Sequence, residues 1–290
     1  MTGLLCKLTY FRRLYCTTSV RLVQYLIALS CKTRKEYYEA FCENPAYPAL
    51  RHPGIGPAFC FISADNKKTM NNTLMSVKEC LSDCGKLTEK NHNYKTVKLF
   101  GIIKFNVNQY ELENVGNVSI MTVNMGVMQM GTLVVAPYDK DVPVLSTDFM
   151  YMLANRKYIM EMDNTVIDSG EAYQAKCKEG NQLIATFSDL AEYPGKPSWL
   201  DEVQDVLARK QSKDTSRLDT LVTEVSRFYV DWLKEAPQLT AEERAEKVAA
   251  TKAYSDKLID LGGLSTDVFK QALGVDVTRD FFDSVFFGTK

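Results

Sequence analysis

Asp148 lies in the run Val144-Leu145-Ser146-Thr147-Asp148-Phe149-Met150-Tyr151-Met152-Leu153, which is otherwise largely apolar. A carboxylate flanked by Leu145, Phe149 and Met150 loses hydration, and lost hydration disfavours the charged form and raises the pKa. A carboxyl shifted in that way holds a proton near neutral pH and can donate it to a bound reactant. The same residue also has a structural reading, as a strand-end carboxylate that takes a backbone amide or a base such as Arg156. One alternation of the run carries Val144, Ser146, Asp148, Met150 and Met152, and the other carries Leu145, Thr147, Phe149, Tyr151 and Leu153. Both faces of such a strand are expected to be covered.

Other chemistries find little support. The cysteines (Cys6, Cys16, Cys31, Cys42, Cys60, Cys80, Cys84, Cys177) form no CxxC pair, and the histidines are His52 and His92 alone, so neither a zinc site nor a His-rich metal centre is expected. Cys80 and Cys84, four residues apart, read as ordinary thiols. There is no GxSxG or Walker motif, and Gly54-Ile55-Gly56 lacks the third glycine of a dinucleotide-binding turn. Residues 1–35 hold seven bases and no acid, so every Asp and Glu falls in residues 36–290 and makes that part net acidic. A nucleic-acid surface fits this balance poorly. An acid-free beginning with Arg, Thr and Ser is what organelle-targeting segments look like, and the alternative is a basic amphipathic helix packed on the domain. The apolar run Leu22–Leu29 is well short of the roughly 20 residues that span a bilayer, so no transmembrane segment is expected.

The elements that must position Asp148 follow from periodicity. Residues 36–66, rich in Pro and Gly, read as an irregular linker or N-terminal edge. Met70, Leu74, Val77 and Leu81 predict a helix within Lys67–Lys90. Five short Val-, Ile-, Met- and aromatic-rich runs follow: Lys95–Val107, Asn117–Gly126, Val127–Pro137, Val142–Leu153 and Lys157–Asp163. Their connections are too short for parallel crossovers, so an antiparallel meander is expected. Helical spacing returns in Trp199–Gln211, Asp214–Glu235 and Thr240–Leu261, the last opened by a capping box, with two short helices, Thr266–Leu273 and Thr278–Phe287, after it. The fold class expected is α/β: a three-layer α/β/α sandwich with a central antiparallel sheet flanked by helices, formed by residues 67–290.

The segment Gly131–Asp148, GTLVVAPYDKDVPVLSTD, continuing FMYML, resembles the ferredoxin-dependent bilin reductases, with Ser146 where that family usually has glycine. Pro197-Ser198-Trp199-Leu200-Asp201-Glu202 is similar to the family's proline-then-tryptophan start. Asp267–Gly274, Thr278–Phe282 and Val285–Gly288 look like its closing helices, so the likeness covers about residues 95–288. The resemblance implies a bilin held between sheet and C-terminal helices, electrons from external reduced ferredoxin and no bound redox cofactor, beside the expectation from the residues of no metal and no membrane span. It assigns proton donation to Asp148 and, less in register, to Asp260. Ser146, Met150, Met152 and Met121 become candidates for the bilin cleft, and Arg156, Lys157, Arg209 and Lys210 for ferredoxin docking. A downstream bilin-accepting protein is a further partner it allows. Members that also reduce the exo-vinyl group carry Glu and His where this chain has Ser119-Ile120-Met121 and Gly131-Thr132-Leu133. Biliverdin or dihydrobiliverdin is the expected substrate, and a plastid the expected compartment, with mitochondrion and cytoplasm as alternatives. A non-catalytic bilin-binding or chaperone protein, a chlorophyll-catabolite reductase and a ligand-free interaction domain stay open as other readings.

Overall fold

The computed structural model describes residues 55–101, 103–125, 128–152, 154–195 and 198–290. The basic segment 1–35, most of the expected linker, His52, Pro197 and the strand ends expected at Gly126, Val127 and Leu153 lie outside those residues. The chain divides into two units, Met1–Phe61 and Ile62–Lys290. Of the first, residues 55–61 are described, and they are helical.

In the second unit one sheet of nine antiparallel strands organises the chain. The strands are β1 (Leu87–Lys90), β2 (Thr96–Leu99), β3 (Ile103–Leu112), β4 (Gly116–Asn124), β5 (Met128–Pro137), β6 (Val144–Met152), β7 (Asn155–Asp163), β8 (Ala191–Glu192) and β9 (Gln204–Ser212). Their order is β1-β3-β4-β5-β6-β7-β9-β8, with β2 also paired to β3. The α-helices among the described residues are α1 (Ile55–Leu81), α2 (Glu171–Ala185), α3 (Ser216–Glu235), α4 (Ala241–Asp260), α5 (Leu264–Leu273) and α6 (Val275–Phe281), and a wide π turn at Phe282–Phe286 follows the last.

Alternation along the strands divides the sheet into two faces. One face packs against α1, α2 and α3 in a continuous core. Met70, Leu74, Val77 and Leu81 of α1 and Leu218, Leu221, Val222 and Val225 of α3 meet Leu133, Leu145, Phe149, Tyr151 and Tyr158 there. Polar atoms in that layer are paired, as burial requires. The Tyr151 and Tyr158 hydroxyls lie 2.5 Å apart, and Tyr158 and Thr73 each donate to Asp219 Oδ1 at 3.0 Å. Gly131 lets α1 come close, because a Cβ there would lie 2.8 Å from Leu74 Cδ1.

The other face meets the C-terminal helices. Phe105 packs on Phe269 with ring centroids 5.3 Å apart, Asn117 Nδ2 donates to Val285 O (3.0 Å), and Ser119 Oγ donates to Phe286 O (2.9 Å). Helix α4 starts with the expected capping box, in which Thr240 Oγ1 accepts from Glu243 N and Glu243 Oε2 accepts from Thr240 N. Its Lys247, fully buried, donates to Val142 O and Thr165 O. The three-layer sandwich is therefore as expected.

Several boundaries differ. Helix α1 begins at Ile55, twelve residues before the expected start, because Pro57 occupies the first turn, where a missing N–H breaks no hydrogen bond. It ends at Leu81, and residues 87–90 are strand. The run Lys95–Val107 is two strands folded at Phe100-Gly101, whose φ angles of 53° and 76° turn the chain. Trp199–Gln211 is not a helix. Residues Trp199–Glu202 make one tight turn, capped by Ser198, and β9 follows with Val206, Ala208 and Lys210 buried in strict alternation. Helix α2 was not expected. Its inward face is only Tyr173, Cys177, Gly180 and Ile184, and at Gly180 a Cβ would lie 3.0 Å from Phe228 Cε1, so that a larger residue needs the ring to shift by a few tenths of an ångström.

Candidate active site

The register sets Val107, Met121, Thr132, Asp148, Ile159 and Arg209 in one row across six strands, β3 to β7 and β9. At the usual inter-strand spacing this row runs roughly 24 Å. A parallel row holds Ser119, Val134, Ser146, Glu161 and Leu207, and a third holds Val123, Met130, Met150, Lys157 and Gln211. All are on the face that turns towards α4, α5 and α6. Asp148, Ser146, Met150, Lys157, Ile159, Glu161 and Arg209 are half-buried there, whereas the opposite parity of β6 and β7 is sealed in the core. Met121 is buried, and Met152 is 46% exposed at the end of its strand.

Asp148 has one side-chain partner, Thr132 Oγ1, which donates to Oδ1 at 2.5 Å. Burial lifts its pKa above the ordinary carboxylate range, and the Thr132 hydrogen bond offsets part of the rise. Glu161 stands on the next strand, where burial, then Asp163 and Asp148, push its carboxyl well upward against the pull of Arg209. Gln204 Nε2 donates to Glu161 Oε2, and Arg209 Nη2 donates to Gln204 Oε1 at 3.2 Å. Asp163, fully buried, accepts from Tyr254 of α4 at 2.7 Å through Oδ2, while its Oδ1 has no hydrogen-bond partner. Burial raises this carboxyl too, the Tyr254 hydrogen bond lowers it, and Asp148 and Asp205 add to the rise.

The rim beside Arg209 is the segment after β8. Tyr193 N donates to Arg209 O at 3.4 Å, its ring lies 4.8 Å from the Lys157 ammonium, and burial together with Asp148 keeps its phenol protonated. The arrangement is a broad, largely apolar sheet face bearing three protonatable carboxyls, two bases and several thioethers. It can hold a flat molecule and exchange protons with it.

Met121, Ser146, Asp148, Met150, Met152, Lys157 and Arg209 thus share one face. Three other expected residues do not join them. Asp260 is exposed at the end of α4, and Arg279 Nη2 donates to it at 2.7 Å, so its carboxylate is committed to a surface ion pair. Arg156 is buried on the opposite face, with its guanidinium 5.2 Å from the Tyr151 ring centroid and donating to Asn66 Oδ1 (2.8 Å) and Ala154 O (2.9 Å). Lys210 is likewise buried on that side, paired with Glu192 at 2.9 Å. Adjacent bases on a strand point to opposite faces, so neither Arg156-Lys157 nor Arg209-Lys210 makes one docking patch.

Sequence reasoning missed Thr132, Glu161, Asp163, Tyr193 and Tyr254. The alternation of β7 carried a signal for the two carboxyls, since Glu161 and Asp163 share the parity of Lys157, but only the register shows that this parity faces Asp148.

No family model and no curated protein matches this chain. Among solved structures it is similar to phytochromobilin synthase from tomato in complex with biliverdin, with a TM-score of 0.62 at 14% identity, covering 77% of this chain and 83% of that one. The likeness is one of fold.

Proposed function

We propose that this protein binds a linear tetrapyrrole between the sheet face that carries Asp148 and the C-terminal helices, and reduces it with electrons from an external one-electron donor of the ferredoxin class. The observation that carries this reading is the row around Asp148: a carboxyl raised by burial, at the middle of a wide apolar face with thioethers on either side, in a fold shared with a synthase solved with biliverdin. Met121, Met130 and Met150 suit a flat conjugated ligand because thioethers adapt to irregular contact. Lys157 and Arg209, the bases on this face, suit the two propionates, Arg209 through its planar fork.

Each double bond reduced takes two electrons and two protons. Electrons reach the pigment one at a time; the first raises the basicity of the tetrapyrrole, and Asp148, protonated because its site is poorly hydrated, gives up its proton to it. Thr132, by donating to the carboxylate that remains, stabilises the group after transfer. The substrate within this reading is biliverdin or a dihydrobiliverdin. The protein acts in a plastid, to which the acid-free segment 1–35 would direct it.

Anaerobic incubation with biliverdin or dihydrobiliverdin, with and without reduced ferredoxin, followed by absorption spectra, tests this. Binding changes the spectrum, and adding the reductant bleaches the bound pigment and yields a product of shorter conjugation. A spectrum altered by biliverdin but inert to reductant would leave a bilin-binding protein without the chemistry. No change with either pigment would remove the reading altogether.

A further inference from the structure

Asp148 supplies one proton, and reduction of one double bond consumes two. Asp260 is tied to Arg279 at the surface, and no contact among the described residues joins it to Asp148. Glu161 is placed differently. Asp148 pairs with Ile159, so Glu161 is its diagonal neighbour on β7, about 7–8 Å away along the backbone and within reach for a long side chain. Glu161 lies on the same sheet face, half-buried, and its side-chain hydrogen bond, from Gln204, occupies Oε2.

The charges facing this pair come from every neighbouring element. Strand β6 contributes Asp148, β7 contributes Asp163 and Lys157, and β9 contributes Arg209, while α4 and the segment after β8 present Tyr254 and Tyr193; Asp205 of β9 acts on Asp163 but accepts from Tyr173 of α2. The Lys157 ammonium lies 4.8 Å from the Tyr193 ring centroid, and Arg209 is the cation that pulls the Glu161 carboxyl down. Asp148, Glu161 and Asp163 lie in one poorly hydrated site, where neighbouring carboxyls raise one another and hold protons as a set. Asp163 adds an independent sign: a completely buried carboxyl whose Oδ1 has no donor is most stable as the neutral acid.

We propose that Glu161 is the second proton donor of this site, acting with Asp148, and that Asp163 holds the proton that recharges it. The proposal rests on the bilin reading. Two electrons arrive singly from the external iron–sulfur donor. Two bonds from hydrogen to the tetrapyrrole form as the O–H bonds of Asp148 and Glu161 break, and both acids are left as carboxylates. Solvent then restores the two protons, by way of Asp163 for Glu161.

The test uses the full chain and Glu161→Gln, which keeps shape but cannot give up a carboxyl proton. Infrared spectra of the ligand-free protein at neutral pH should contain a protonated-carboxyl stretch that shifts in heavy water and is lost in Glu161→Gln but kept in Glu161→Asp. In single turnover with biliverdin and reduced ferredoxin, Glu161→Gln should bind pigment as the wild type does. It should form product ~10²-fold more slowly and accumulate the one-electron radical seen by electron paramagnetic resonance, and Glu161→Asp should recover most of the rate. Wild-type turnover in Glu161→Gln, or an infrared band indifferent to residue 161, would overturn the proposal. Failure of biliverdin to bind at all would fall on the bilin reading instead, and the infrared comparison would still decide whether Glu161 holds a proton. If Glu161→Gln does not fold, Glu161→Asp decides it: the protonated-carboxyl stretch should change frequency when the side chain is shortened, and a band unmoved from its wild-type position would overturn the proposal.

Discussion

The carboxyls of Asp148, Glu161 and Asp163 differ in what they touch, and the difference fixes what each substitution should do. Asp148 is held by a single donor, Thr132, and otherwise feels burial. Asp148→Asn should still bind biliverdin but reduce it ~10²- to 10⁴-fold more slowly, as loss of a general acid does, with spectra and single-turnover rates as the measurement. Thr132→Val removes the hydrogen bond that favours the ionised carboxylate, so the pKa of Asp148 should rise further. A donor must be protonated, so the rate falls as pH climbs through that pKa. The falling limb of the pH–rate profile should therefore move to higher pH in Thr132→Val, and a limb that stayed in place or moved down would exclude Asp148 as the group that sets it.

At the scale of elements, α4 carries Tyr254 to Asp163, and α4 is itself pinned by Lys247. Burial lowers this amine from 10.5 to about 7, with Asp141 at 3.8 Å pulling the other way. The unfolded chain keeps the proton up to its ordinary pKa while the folded protein sheds it above about 7, so this residue's contribution to stability grows as pH rises between the two. Lys247→Met leaves the Val142 and Thr165 carbonyls without the ammonium that donates to them, at about 1–3 kcal/mol. Its deficit against wild type, from urea unfolding, should widen from neutral to alkaline pH, and an unchanging deficit would mean the amine keeps its proton throughout. Helix α4 was legible from Thr240 and Glu243, and α3 from its apolar stripe, because local periodicity determines both. Strand β9 was not: Leu200, Val203 and Leu207 fall by accident at helical spacing, while the sheet edge that recruits the segment is distant in sequence. Asp148 was legible because its neighbours are apolar. Glu161 and Asp163 were not, since their relation to it is a matter of register.

Over the whole molecule the formal charge is only -1, which gives little long-range steering of an acidic donor. With Arg156 and Lys210 buried and Lys157 on the cleft face, Lys157→Gln should weaken biliverdin binding while the salt dependence of electron delivery stays as in wild type. A lost salt dependence with unaltered pigment affinity would return Lys157 to the donor surface. The division of β6 into a sealed and an open side reaches further, into how the gene tolerates change. In a library with every codon of that strand randomised, cells carrying changes at 145, 147, 149 and 151 should lose soluble protein. Cells altered at 146, 148 and 150 should keep it and lose only colour change, so that two assays on one plate read out odd and even positions as separate populations.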